Sequence, residues 1–101
     1  MITCFVKYVI DPRKLEEFET FGKRWIALVN ENGGEHHGYF LPAEGADNIA
    51  YALFSFPSLS KYEEYRKLFE SNPDFIAANN YKYETGCVLS HERTFLRPVF
   101  G

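Results

Sequence analysis

The sequence predicts an α+β fold in which the elements run β-α-β-β-α-β. Three observations carry that expectation. Residues Glu35 to Phe56 read as two strands joined by a polar, Gly-containing connection. One strand and one helix precede this hairpin, and helix followed by strand comes after it. The chain has 101 residues, a length that fits a single domain over 1–101.

The first strand is expected over Ile2–Ile10. Ile2, Cys4, Val6, Tyr8 and Ile10 share one face, while Thr3, Phe5, Lys7 and Val9 share the other. Asp11-Pro12 ends it and opens a helix, Asp as N-cap and Pro at the first helical position. That helix reaches about Asn30, with Leu15, Phe18, Gly22, Trp25, Ile26 and Val29 as its apolar stripe and Asn32-Gly33-Gly34 as its stop.

In the hairpin, Gly45 and Asp47-Asn48 supply turn chemistry, and the connection is longer than a tight two-residue turn. Ser58 is the expected cap of the next helix, with Ser60 to Glu63 as an alternative capping box. Leu59, Tyr62, Tyr65, Arg66 and Phe69 form its face. Asn72-Pro73-Asp74 breaks it and starts a short helix through Asn80. Gly86–Leu96 is the last strand, and the apolar tail Arg97-Pro98-Val99-Phe100 is expected to dock.

This order is the split βαβ, ferredoxin-like arrangement, a four-stranded antiparallel sheet of order 4-1-3-2 with both crossovers on one face. Helices then cover one face only. Yet both parities of the second hairpin strand are apolar: Ile49, Tyr51 and Leu53 on one side, Ala50, Ala52, Phe54 and Phe56 on the other. Leaving such groups in water forgoes roughly 1.5–3 kcal/mol for each large side chain. The expectation is a homodimer joined through the open sheet faces, with higher assembly left open.

Composition excludes several classes. The net charge is −3 from 11 basic and 14 acidic residues, and no basic stripe occurs, so no nucleic-acid partner is expected. The longest apolar run, Ile49 to Phe54, is far shorter than the ~20 residues of a membrane span. Two cysteines without CxxC spacing and no basic, apolar leader point to a cytoplasmic protein. Cys4 and Cys87 are expected as reduced thiols. No GxGxxG, P-loop, HExxH or GxSxG motif is present, so neither a cofactor nor a metal is expected.

Several segments together resemble bacterial NIPSNAP-family proteins. They are Tyr8-Val9-Ile10-Asp11-Pro12, His36-His37-Gly38-Tyr39-Phe40-Leu41-Pro42, Gly45-Ala46-Asp47-Asn48, Ser55-Phe56-Pro57-Ser58-Leu59 and Glu92-Arg93-x-Phe95-Leu96-Arg97-Pro98. The resemblance spans essentially the whole chain. It implies a dimeric α+β barrel, a superfamily that includes cofactor-independent monooxygenases, haem-degrading enzymes, isomerases and stress-response proteins. It brings no assigned reaction with it.

The candidate ligand-binding residues are Lys7, His37, Tyr39, Tyr51, His91 and Glu92. His36 and His37 are adjacent on a strand, so they point to opposite faces and cannot share a metal. His37 is preferred because i, i+2 spacing puts it on the face of Tyr39, and an imidazole there is suited to moving protons. His91 alternates with Leu89 and Arg93, and Glu92 with Ser90 and Thr94. One of these sets faces the cavity, where His or Glu acts as a base. Lys7 and Tyr51 lie on the central strands, where a lysine orients an anion. Three functions follow: a dimer binding a small, partly aromatic molecule in the barrel cavity; a cofactor-independent monooxygenase or isomerase; and a stress-response or interaction protein without chemistry.

Overall fold

The computed structural model describes residues 1–101. Its elements are β1 (Ile2–Ile10), a 3-10 turn (Pro12–Lys14), α1 (Leu15–Glu31), β2 (Glu35–Phe40), β3 (Ile49–Phe56), α2 (Leu59–Lys67), α3 (Pro73–Thr85) and β4 (Val88–Leu96). The strands form one antiparallel sheet in the order β2-β3-β1-β4, which is 4-1-3-2 read from the other edge. The fold is therefore α+β and ferredoxin-like, with three helices on one face.

Local chemistry sets the boundaries. Asp11 Oδ1 accepts from the Arg13 N–H at 3.0 Å, and Ser58 Oγ accepts from the Lys61 N–H at 3.2 Å. The alternative cap at Ser60 is not used, because α2 already starts at Leu59. Asn72 Oδ1 accepts from the Asp74 N–H at 2.9 Å and starts α3 with Pro73 inside its first turn. α3 runs on to Thr85 rather than ending at Asn80, since nothing between them breaks a helix. Gly86 stops it in the left-handed conformation, its N–H bonding back to the Lys82 carbonyl.

The core lies between the sheet and the helices. Cys4, Val6, Tyr8 and Ile10 of β1 and Ala50, Ala52, Phe54 and Phe56 of β3 are buried there, as their shared parity requires. Phe18, Phe21, Trp25, Leu28 and Val29 of α1 cover them, with Tyr62, Tyr65, Phe75 and Ala78 from α2 and α3. Phe21 and Leu28 join the stripe, while Leu15 and Ile26 stay half-buried.

The other sheet face has no cover from this chain. Phe5, Lys7 and Val9 of β1 stand there beside Leu53, Tyr51 and Ile49 of β3. Phe5 stacks on Tyr51 at 5.3 Å between ring centroids. Ser90, Glu92, Thr94 and Leu96 extend this face onto β4.

The tail does not dock on its own domain. Val99 and Phe100 are 78% and 77% exposed. Cys4 and Cys87 are both buried and unbridged. Cys4 pairs with Phe95 in register, whereas the Cys87 carbonyl accepts from Asp11 N–H at the far end of β1. No helix is long and apolar enough to cross a membrane.

Candidate functional site

A cavity of about 60 Å³ opens between the inner sheet face and the helices. Val6 and Tyr8 of β1, Tyr39 of β2 and Phe54 of β3 form its sheet wall. Trp25 of α1 and Tyr62 and Tyr65 of α2 form its helix wall. His91 and Arg93 of β4, Arg66 of α2, and Asn79 and Lys82 of α3 add polar groups to the lining, as does His36 of β2. Burial raises the affinity of the Tyr8, Tyr39 and Tyr65 hydroxyls for their protons, so all three stay neutral. Tyr8 Oη and Tyr39 Oη lie 3.4 Å apart, too far for a strong hydrogen bond.

β2 brings a bulge into this wall. The register runs His36↔Phe54 and then Gly38↔Leu53, so His37 is an extra residue with no partner on β3. Gly38 sits at φ +118°, a conformation that a side chain would oppose. Parity flips at this point. His36 and Tyr39, not His37 and Tyr39, lie on the helix face, with their rings stacked at 5.0 Å and 10°. The expectation that His37 shares the face of Tyr39 is corrected here.

The His36 tautomer follows from its partner. Nδ1 accepts from the Gly38 N–H at 2.9 Å, which leaves the ring proton on Nε2. Desolvation, aided by nearby His37, lowers its pKa to about 4. At neutral pH His36 is thus an uncharged donor. His91 is also held below its ordinary pKa, by desolvation first and then by the fields of Arg93, Lys82 and Arg66.

Trp25 is buried, and its Nε1–H has no hydrogen-bond partner. A buried orphan donor is costly, on the order of 1–3 kcal/mol. Its ring stacks on Phe69 at 4.9 Å, and the Arg66 guanidinium sits 4.3 Å from the Phe69 centroid.

The six sequence-predicted residues divide between two faces. Tyr39 and His91 line the cavity. Lys7 lies opposite both Tyr51 and Glu92 in register, and these three share the open face. No ion pair joins Lys7 to Glu92 within 4.0 Å. His37 Nε2 lies 2.8 Å from Ser55 Oγ, which in turn lies 2.7 Å from Thr3 Oγ1 on the open-face parity. No group of three or more His, Cys, Asp or Glu side chains stands close enough to hold a metal.

Sequence reasoning missed His36, Trp25, Arg66, Lys82 and Arg93 as one site. One signal was available. A Gly beside paired histidines inside an alternating strand marks a bulge, and a bulge reverses parity after it. The convergence of the three cations from β4, α2 and α3 had no local signal.

Known structures share this architecture. A protein from Agrobacterium tumefaciens is 18% identical with a TM-score of 0.82, over 98% of this chain and 94% of that one. An uncharacterized NIPSNAP domain protein from Burkholderia xenovorans is 17% identical with a TM-score of 0.78, over 98% and 95% of the two chains. SnoaB, a cofactor-independent oxygenase from Streptomyces nogalater, is 16% identical with a TM-score of 0.69, over 99% and 94%. At these identities the likeness is one of fold. No curated protein matches the sequence. The NIPSNAP family model matches residues 4–100, and over that span the chain belongs to the NIPSNAP family.

Proposed function

We propose that this protein binds a small, partly aromatic molecule in the cavity between its sheet and helices, and does so as a cytoplasmic homodimer. The observation that carries the binding is the unpartnered Nε1–H of Trp25 in an aromatic wall. A few polar groups in an apolar concavity are the usual design of a ligand site. The free volume, about 60 Å³, lies well below the ~300–1,000 Å³ typical of drug-sized ligands. The ligand is therefore small.

The test uses the only tryptophan of the chain. Phenol and benzyl alcohol, titrated against the intact protein, are expected to shift Trp25 emission saturably and to raise the melting temperature. Emission and melting unchanged by either compound refute the reading.

The dimer rests on the open sheet face. Phe5, Val9, Ile49 and Leu53 line it beside the unpaired charges Lys7 and Glu92. A twofold-symmetric contact brings one patch against itself, and a patch holding both charge signs is self-complementary there. In that assembly Lys7, His37, Tyr51 and Glu92 act between the sheets rather than in the cavity.

A second reading, cofactor-independent oxygenation or isomerisation, is favoured by one observation. His91 is uncharged at neutral pH and borders the cavity, so a ring nitrogen is free to take a proton. His36 does not serve, since its Nδ1 is engaged. Oxygen uptake with a hydroxyaromatic panel, lost in His91→Gln, supports this reading, and no uptake refutes it.

A further inference from the structure

The charge on the cavity wall is one-sided. The chain carries more acids than bases, 14 against 11, yet the cavity is lined by Arg66, Lys82 and Arg93 and by no Asp or Glu. None of the three takes part in an ion pair, for the salt bridges of the chain are Asp11–Arg13, Glu19–Lys23 and Lys61–Glu64. Unpaired cations that converge on an apolar recess repel one another and attract anions.

Two contacts sharpen this. Arg66 lies over Phe69, which stacks on Trp25, so its guanidinium is held by the aromatic layer, with the Tyr62 hydroxyl beside it. Arg93 pairs with Val6 in register, on the face that looks toward the helices. All three line the same cavity as His91, and their fields lower its pKa.

Resting on the cavity reading above, we propose that the ligand is a planar organic carboxylate, its charge met by Arg66 and Arg93 with Lys82 on the same wall. The guanidinium fork matches a carboxylate in two parallel hydrogen bonds. The ring of the ligand lies against the aromatic wall.

Benzoate, benzamide and inorganic phosphate, titrated by calorimetry against the full chain, test the idea. Benzoate is expected to bind at least tenfold more tightly than benzamide, its neutral counterpart, and to weaken as salt is raised. In the Arg66→Gln and Arg93→Gln double variant the two are expected to bind alike. Both arginines are exposed, so circular dichroism is expected to stay unchanged. Benzamide binding as tightly as benzoate overturns the proposal while the cavity reading stands. Phosphate binding as tightly as benzoate overturns the aromatic carboxylate. A preference that survives in the double variant overturns the assignment to these residues. No binding by any ring overturns both this proposal and the cavity reading.

Discussion

Gly22 of α1 lies directly against the ring of Tyr39 on β2: a Cβ built at position 22 stands 3.0 Å from Tyr39 Cγ. That ring is in turn packed by Phe18 at 5.7 Å and His36 at 5.0 Å between centroids, so it yields little to a new side chain. Gly22→Val adds three carbons at this contact, and its gain in helix propensity is only a few tenths of a kcal/mol. The expected cost is ~2–3 kcal/mol, from overpacking, read as a lower denaturant midpoint with an unchanged m-value. An unaltered midpoint contradicts the close approach.

His36 makes stability depend on pH. Its folded pKa is about 4 against an ordinary 6.5. Between those values the unfolded chain binds a proton that the folded chain refuses, so the contribution is complete above pH 6.5 and is lost as pH falls toward 4. With the ring only half-buried and water screening discounted, the expected size is ~1–2 kcal/mol. His36→Asn retains an acceptor for the Gly38 N–H and is expected to flatten the slope of stability against pH across that window. Equal slopes for the variant and the parent count against the tautomer and burial assigned to His36.

Ser55 is buried and links Thr3 to His37 through contacts of 2.7 and 2.8 Å. Ser55→Ala leaves the buried Thr3 hydroxyl without that partner, and a loss of ~1–3 kcal/mol is expected. Thr3→Val combined with Ser55→Ala is expected to recover part of it. Thermal melts of the two single variants and the double variant close this cycle.

The dimer has its own test. Leu53 is half-buried on the uncovered sheet face, between Phe5 and Gly38 in register. A charge introduced there by Leu53→Glu is expected to shift sedimentation from dimer to protomer while far-ultraviolet dichroism stays the same. A wild-type chain that sediments as an 11.8 kDa species at micromolar concentration removes the dimer from the proposal.

What the sequence by itself determined is whatever depends on neighbours along the chain. β1 falls at Ile2–Ile10 because period two is visible there. Asp11 and Ser58 cap because their side chains reach N–H groups two or three residues ahead. Strand alternation separates Ala50, Ala52, Phe54 and Phe56 from Tyr51 and Leu53, but both sets are apolar and packing alone chose which one meets the helices; the sheet order follows from crossover handedness. The tertiary structure alone decided the site. The bulge at His37 put Tyr39 on the face of His36, a one-residue slip that reverses the side chains after it. Arg66, Lys82 and Arg93 lie far apart in the chain and meet only when α2, α3 and β4 pack around one recess. Local pattern records which face a side chain takes. It carries no record of which distant side chain will stand across from it, because that distance is set by how whole elements pack.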